Sequence, residues 1–323
     1  MRAMMNVLIV RTSSMGDLIH TWPAITELKA HYPNFRIAWL AEESFADMAR
    51  LHPAVAQVIP LAWRRWRKHL WQLATWREIA ALRQTLRATR WELVVDSQGL
   101  LKSAIPAKWA KAPLTGYNWH SIREPLASLL YDKRHQVSKD LSAIERNRQL
   151  FGKIFGYTPQ GEPVFGVQPG ERPSWLLSGR YAVLLHATSR ASKEWPEAHW
   201  IALGSQLAQQ HDMVLVLPWG NAAEKQRAER LAAALPAAVV APKLSLLEAA
   251  GLIGHASAVI GVDTGLTHLA NALKVPLVAI YTDTDPHKTG VVETAQATNL
   301  GNIGQCPSVD EVLGALQARQ GWQ

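Results

Sequence analysis

The chain has 323 residues, 48% of them hydrophobic and 19% charged, which excludes a disordered or fibrous protein and gives length enough for two domains. Its single cysteine, Cys306, excludes an internal disulfide framework and leaves no pair for a structural zinc site, so a reducing compartment, the cytoplasm, is expected. Lys and Arg number 34 against 26 Asp and Glu, a formal charge of +8 that attracts polyanions and leaves nucleic acid, anionic membrane and phosphorylated substrate all open.

Residues 1–10 are too short for a secretion signal, and no apolar stretch approaches the ~20 residues that span a bilayer. Residues 7–10 read as a first strand, and a helical pattern follows through Leu18, Ile19, Ile25 and Leu28. Between them, Thr12-Ser13-Ser14-Met15-Gly16-Asp17 is a small-residue loop opening a helix, where free backbone N–H groups can face an anion. It has neither the Walker nor the dinucleotide-binding pattern. Asp17 reads in two ways, as a general base at a strand-to-helix turn or as a helix cap.

Further strands are expected at 36–40, 56–59 and 93–96, with a helix over 76–88. The run Trp63-Arg64-Arg65-Trp66-Arg67-Lys68-His69, followed by Leu70, Trp71, Leu73 and Trp76, suits an anionic membrane or a phosphorylated lipid. A nucleic-acid patch or a plain solvated helix face fits it too. The 14 Trp of the chain divide between the same readings, core filler or interfacial anchor. Asp96-Ser97-Gln98-Gly99, with Lys102, lies at the carboxyl end of a strand and either borders a cleft or caps a helix. Arg123-Glu124 before Pro125 reads as a loop near an acceptor.

Residues 157–173 are rich in Pro and Gly without periodicity and read as linking sequence. The domains expected are 1–160, a linker over 161–178, and 179–323. Beyond the linker, strands at 181–185, 213–217, 258–262 and 275–281 alternate with helices at 195–210, 222–234 and 267–273. Both halves therefore read as α/β, doubly wound parallel sheets, with ligands at the carboxyl ends of the strands in an interdomain cleft. Trp195-Pro196 looks like a helix start with Pro near its first position.

Two loops of the second half carry chemistry. His186-Ala187-Thr188-Ser189-Arg190-Ala191-Ser192-Lys193 follows its first strand, where Thr188 and Ser189 supply hydroxyls and Lys193 a cation that together can neutralise a leaving diphosphate, or form only a solvated loop. Val262-Asp263-Thr264-Gly265-Leu266-Thr267-His268 runs from a strand into a helix starting near Leu266, offering N–H donors to a diphosphate. Asp263 there suits hydroxyl binding or loop organisation rather than phosphate, and His268 either a phosphate contact or an interior cap. Asp-Thr-Gly also occurs in aspartic proteases, but those need a second copy in an all-β fold.

Taken together, residues 8–17, Asp96-Ser97-Gln98-Gly99-Leu100, Arg123-Glu124-Pro125-Leu126-Ala127-Ser128, Leu217-Pro218-Trp219-Gly220 and residues 262–269 resemble the bacterial lipopolysaccharide heptosyltransferases, most closely those of type I, in order across nearly the whole chain. The resemblance implies an inverting, metal-independent GT-B enzyme: two Rossmann-like domains facing a cleft, which moves L-glycero-D-manno-heptose from ADP-heptose to the Kdo of Kdo2-lipid A. It implies no cofactor, and it makes Asp17 the catalytic base. Thr188, Ser189, Lys193, Glu224, Asp263, Thr264, Gly265, Leu266 and His268 would bind ADP-heptose, with Glu224 on the nucleoside. Ser14, Gly16, Arg64, Arg67, Lys68, Gln98 and Arg123 would bind the acceptor. The implied place of work is the cytoplasmic face of the inner membrane, as a peripheral protein on an anionic surface, with no nucleic-acid partner. Domain closure over the donor, with the hinge in 157–173, is expected.

The chain departs from the family pattern at Arg11, where Lys is common, at Ser189-Arg190-Ala191-Ser192, and at Tyr281-Thr282-Asp283-Thr284-Asp285-Pro286. The rival readings are a type II heptosyltransferase acting on a heptosylated acceptor, a sugar-nucleotide epimerase of the same fold, and a non-catalytic basic protein that binds membrane or nucleic acid.

Overall fold

The computed structural model describes residues 5–176 and 179–322. Residues 1–4 of the N-terminal stretch, residues 177 and 178 of the expected linker, and residue 323 lie outside the described residues. The chain forms two compact units, Met1–Gly166 and Val167–Gln323.

The first unit holds strands β1 (Asn6–Val10), β2 (Arg36–Glu42), β3 (Val55–Leu61), β4 (Leu93–Asp96), β5 (Leu114–Tyr117) and β6 (Lys133–His135). Its helices are α1 (Met15–Ile19), α2 (Trp22–His31), α3 (Ala46–Arg50), α4 (Trp63–Trp66), α5 (Leu73–Ala88), α6 (Leu101–Lys108) and α7 (Ala143–Phe155). All six strands run parallel, in the order β3-β2-β1-β4-β5-β6. The central strands are continuous apolar runs because helices cover both faces of such a sheet: Val7 to Val10 and Val94 to Asp96 are buried. Pro60 is tolerated in β3 because that strand lies at the edge and pairs with β2 alone.

The second unit repeats the plan. Its strands are β7 (Tyr181–Leu185), β8 (Val214–Leu217), β9 (Ala238–Val240), β10 (Ala258–Val262), β11 (Leu277–Tyr281) and β12 (Ala297–Gly301). Its helices are α8 (Glu197–His211), α9 (Ala222–Ala234), α10 (Leu246–Gly254), α11 (Gly265–Ala272), α12 (Pro286–Thr289) and α13 (Val309–Gln317). The parallel order is β12-β11-β10-β7-β8-β9. Read from β9 this is the same winding as in the first unit: two strands one way from the first, then three the other way.

Several boundaries differ from the sequence reading, for identifiable reasons. The single helical pattern after β1 is two helices, because Pro23 lacks the N–H to continue α1 and instead sits in the first turn of α2. The helix expected from Trp195 begins at Glu197, and Pro196 is its cap rather than its first residue. Trp195 is withdrawn into the core, where its indole N–H donates to the Pro307 carbonyl at 2.9 Å.

Residues 157–176 contain neither helix nor strand, yet each unit holds its own part of them. In the first unit Arg148, almost fully buried on α7, donates to the Gln160 and Gly161 carbonyls at 2.9 and 3.0 Å and pairs with Glu27 and Glu145. In the second unit Gly251 of α10 lies so close to the Glu171 carbonyl that a Cβ would fall 2.0 Å from it. Arg148→Leu strands the Glu27 carboxylate and frees two carbonyls, a loss expected at roughly 3 kcal/mol or more. At about 2–4 °C per kcal/mol for a unit of this size, thermal unfolding should fall by roughly 6–12 °C. A calorimetric scan showing no change would deny Arg148 this role.

Candidate active site

A doubly wound sheet leaves an uncovered spot at the carboxyl ends of the two strands where its winding reverses. In the first unit those strands are β1 and β4, which pair Val10 with Asp96. The loops leaving both strands carry the polar residues singled out from sequence. Asp17 is the third residue of α1; its carboxylate accepts from the Ser14 backbone N–H at 2.9 Å and from the Ser14 hydroxyl at 3.2 Å. It is therefore both the cap and a placed carboxylate. Its other oxygen is bound by Arg11 at 2.7 Å, and Arg123 approaches at 3.9 Å.

The Arg11 side chain is 7% exposed and that of Asp17 23%. Arg11 also donates to the Ser97 carbonyl at the end of β4, so the guanidinium ties the two loops together behind the carboxylate. Burial by itself raises the Asp17 pKa, but the Arg11 charge, the Ser14 N–H, His20 and Arg123 outweigh it and hold the group well below the usual carboxylate range. Asp17 is ionised at any working pH and keeps one face toward solvent.

Behind this pair stands a second, fully buried carboxylate. Asp96 accepts from the backbone N–H groups of Gln98 and Gly99, from Ser103 at 2.9 Å and from Tyr131 at 2.7 Å, while burial pushes its own pKa up. Gln98, thus placed, accepts from both the N–H and the hydroxyl of Thr12 at 2.7 Å. Lys102 reaches Ser13 at 2.8 Å. Gly99 has φ +73°, and a Cβ there would meet Ile122 at 2.7 Å, so the turn accepts only glycine without strain. Its carbonyl receives the Glu124 N–H, which seats the Arg123 loop.

The remaining acceptor candidates are spread more widely. The Arg64 backbone N–H donates to the buried Glu42 at 3.0 Å, and its guanidinium lies 4.8 Å over the Phe45 ring. Lys102, in turn, has its pKa lowered by burial and then by the Arg64 charge, with Asp17 and Arg123 also within influence. Gly16 lies in the first turn of α1. Arg67 and Lys68 are exposed, with no ion pair among the described residues and no contact to Asp17.

In the second unit the reversal falls between β7 and β10, where Gly261 pairs with Leu185. Thr188 donates to the Asp263 carbonyl at 2.9 Å, and Lys193 meets the Asp263 carboxylate at 2.7 Å. Thr284 donates to that carboxylate at 2.8 Å, Ser192 to Asp283 at 2.5 Å and Thr282 to the Ser192 carbonyl at 2.9 Å. Asp263 thus organises the loop. Thr264 caps α11 without a side-chain bond, and the first N–H groups of that helix, on Gly265 and Leu266, have no acceptor in their own helix. Gly261 is required where it stands, since a Cβ would lie 2.3 Å from the Thr267 hydroxyl.

His268 is buried one turn along α11, and Ser189 is exposed. Glu224 is engaged in capping α9, accepting from the Gly220 N–H at 2.6 Å and from Asn221 at 2.7 Å. Beside it Trp219 lies under the ammonium groups of Lys243 and Lys225, at 4.8 and 5.5 Å from its ring centre. Sequence reasoning missed the role of Arg11 as the partner of Asp17 and missed Glu42, and it marked Asp283 and Thr284 only within a run that departs from the family pattern. No spacing signals the pairings of Glu42, Asp283 and Thr284, because each joins different loops.

Two doubly wound units, each with its polar cluster at the winding reversal, define a protein of the GT-B fold class. The chain belongs to glycosyltransferase family 9, the heptosyltransferases, whose model matches residues 79–314. It is 42% identical over 304 residues to lipopolysaccharide heptosyltransferase 1 of Pseudomonas aeruginosa, covering 94% of this chain and 85% of that one. It is likewise 42% identical over 289 residues to the Escherichia coli K12 protein of that name, covering 88% and 90%. Lipooligosaccharide heptosyltransferase 2 of Haemophilus influenzae is 26% identical over 306 residues, 88% of this chain and 85% of that one. Among solved structures, E. coli heptosyltransferase WaaC with ADP superposes at a TM-score of 0.90 with 38% identity, covering 97% of this chain and 99% of that one. The same enzyme with ADP-2-deoxy-2-fluoro heptose does so at 0.87, with 38% identity and the same coverage.

Because Arg11 opposes the effect of burial, the wild-type kcat/KM should show no acid limb from Asp17 across the ordinary carboxylate range near pH 4. Arg11→Met leaves burial less opposed and raises the Asp17 pKa, so activity should fall on acidification from roughly pH 5 downward. Superimposable pH profiles for the two proteins would show that Arg11 does not set this ionisation.

Proposed function

We propose that this glycosyltransferase is a type 1 lipopolysaccharide heptosyltransferase, transferring L-glycero-D-manno-heptose from ADP-heptose to the Kdo of Kdo2-lipid A with inversion. The observation that carries the reading is the 42% identity to heptosyltransferase 1 relatives over most of both chains, against 26% to a type 2 relative. The two WaaC structures, one with ADP and one with a fluorinated ADP-heptose, support the donor.

The reaction is one displacement. Asp17 takes the proton of an acceptor hydroxyl, whose oxygen forms a bond to the heptose anomeric carbon as the bond from that carbon to the ADP oxygen breaks on the opposite side. An ionised carboxylate at a winding reversal, held in place by Arg11 and the Ser14 N–H and still open on one face, is positioned for that proton transfer, at a basicity that Arg11 lowers. ADP leaves as an anion, and Lys193, Thr188 and the free N–H groups of Gly265 and Leu266 meet its phosphates. The reading needs no cofactor and no metal. Glu224 and Trp219 stand beside the nucleoside, Ser189 and His268 border the donor, and Ser14, Gly16, Gln98, Arg64, Arg67, Lys68 and Arg123 serve the acidic acceptor.

Its acceptor being lipid-anchored, the enzyme works as a peripheral protein at the cytoplasmic face of the inner membrane. Among the described residues no helix is long and apolar enough to cross one.

Asp17→Ala should lower turnover by at least about a hundredfold while ADP-heptose binding stays near wild type. Transfer from ADP-heptose to Kdo2-lipid A, assayed beside a heptosylated acceptor, is the direct test. Preference for the heptosylated acceptor, or wild-type turnover in Asp17→Ala, would sink the reading.

A further inference from the structure

The positive charge of this protein is confined to one of its two units. Residues 1–166 carry 23 Lys and Arg against 13 Asp and Glu, whereas residues 167–323 carry 11 against 13. The whole excess of +8 therefore belongs to the first unit, and the second is slightly acidic. Within the first unit the imbalance is steepest over residues 63–88, with seven Lys and Arg and a single carboxylate, Glu78.

The same segment bears the two most exposed large apolar side chains of the described residues, Trp71 at 77% and Leu73 at 75%, with Trp76 at 56% and Leu70 at 49% beside them. They form one loop surface: the Trp76 indole donates to the Leu70 carbonyl at 2.8 Å, and the Trp71 ring meets that of His69 edge-on. This loop is fastened from beneath rather than left loose. Trp66 is buried and donates to Glu78 at 2.7 Å, while Arg65 bridges Glu43 and Glu78 at 3.1 and 2.9 Å. Glu78 is held by these two partners, its charge opposed by Arg65, and Arg67, Lys68 and Arg77 stay exposed around the apolar crown.

Two Trp and two Leu held outward at fixed positions and ringed by cations match a bilayer with anionic headgroups: indoles and leucines enter the acyl boundary while Arg and Lys stay at the phosphates. We propose that residues 67–77 are the point of direct insertion into an anionic lipid surface. The charge asymmetry favours lipid over a protein partner, because an anionic sheet attracts the first unit and not the second. This deepens the membrane reading above, and because it rests on the exposure and charge of the first unit, it stands or falls separately from heptose transfer.

The test is flotation of the full-length protein with phosphatidylcholine vesicles, with or without about a third phosphatidylglycerol. The wild type should float with the anionic vesicles, and salt at about 0.5 M should weaken this without abolishing it, since the apolar part is not screened. The triple variant Trp71→Ala, Leu73→Ala, Trp76→Ala should bind at least about tenfold more weakly. Its turnover on a deacylated, water-soluble acceptor should stay within about twofold of wild type, and turnover on a vesicle-embedded acceptor should fall. Unchanged flotation of the variant, or complete release of the wild type by salt, would overturn the proposal. So would loss of turnover on the soluble acceptor, which assigns these side chains to substrate. A concentration-dependent dimer in sedimentation that disappears in the variant would give the surface to a second copy of the chain instead.

Discussion

A parallel sheet that winds one way from its first strand and then the other must leave two neighbouring strand ends with no crossover helix between them. In this protein that constraint acts twice, at β1 and β4 and again at β7 and β10. Ser14, Gly16, Asp17, Gln98, the Thr188 to Lys193 loop and the Asp263 to His268 turn follow those four ends, whereas Arg64, Arg67, Lys68, Arg123 and Glu224 follow other strands. A loop at such an end begins among strand carbonyls and ends at the free N–H groups of a helix, so it is polar by construction and must be held by its own side chains. Asp96 does this for the first unit and Asp263 for the second.

The two units solve the same problem with opposite polarity. In the first, the cation is the deeper partner. Arg11 binds the Ser97 carbonyl with one arm of its fork and Asp17 with another, so the charge that keeps Asp17 ionised is itself immobilised by the sheet. In the second, the carboxylate is the deeper partner: the Asp263 side chain is 11% exposed and that of Lys193 17%. Lysine is a point charge on a flexible stem, suited to leave Asp263 for an arriving phosphate. A carboxylate held fixed and a cation on a movable stem are the two elements that the proposed displacement uses.

Much of this was legible in one dimension. Continuous apolar runs named β1, β4, β7 and β10 to within a residue, because strands buried on both faces admit no polar interruption. The strand-to-helix loops stood out by their small and polar residues, and their order along the chain identified the family. Edge elements were harder. Lys133–His135 is polar and short, since an edge strand needs no apolar pattern, and the single period through Ile25 and Leu28 hid a break that Pro23 explains. The stretch from Trp63 to Trp76 gave its composition but not which rings face outward: Trp66 is core and Trp71 is surface.

The sequence by itself determined the class of fold, the polar loops that leave the strand ends and the residue types available there, since periodicity and turn chemistry are local properties of the chain. Only the tertiary structure decided which charges meet. Arg11 reaches Asp17 and Ser97, Thr284 reaches Asp263, and Asp96 gathers Gln98, Ser103 and Tyr131 across as many as 35 positions. The long-range pairings, Arg11 with Ser97, Thr284 with Asp263 and Asp96 with Tyr131, depend on strands brought side by side in the sheet, whereas Arg11 meets Asp17 within one strand-to-helix turn. The ionisation of Asp17 depends on them as well, being the balance between burial and a buried guanidinium that no local pattern encodes.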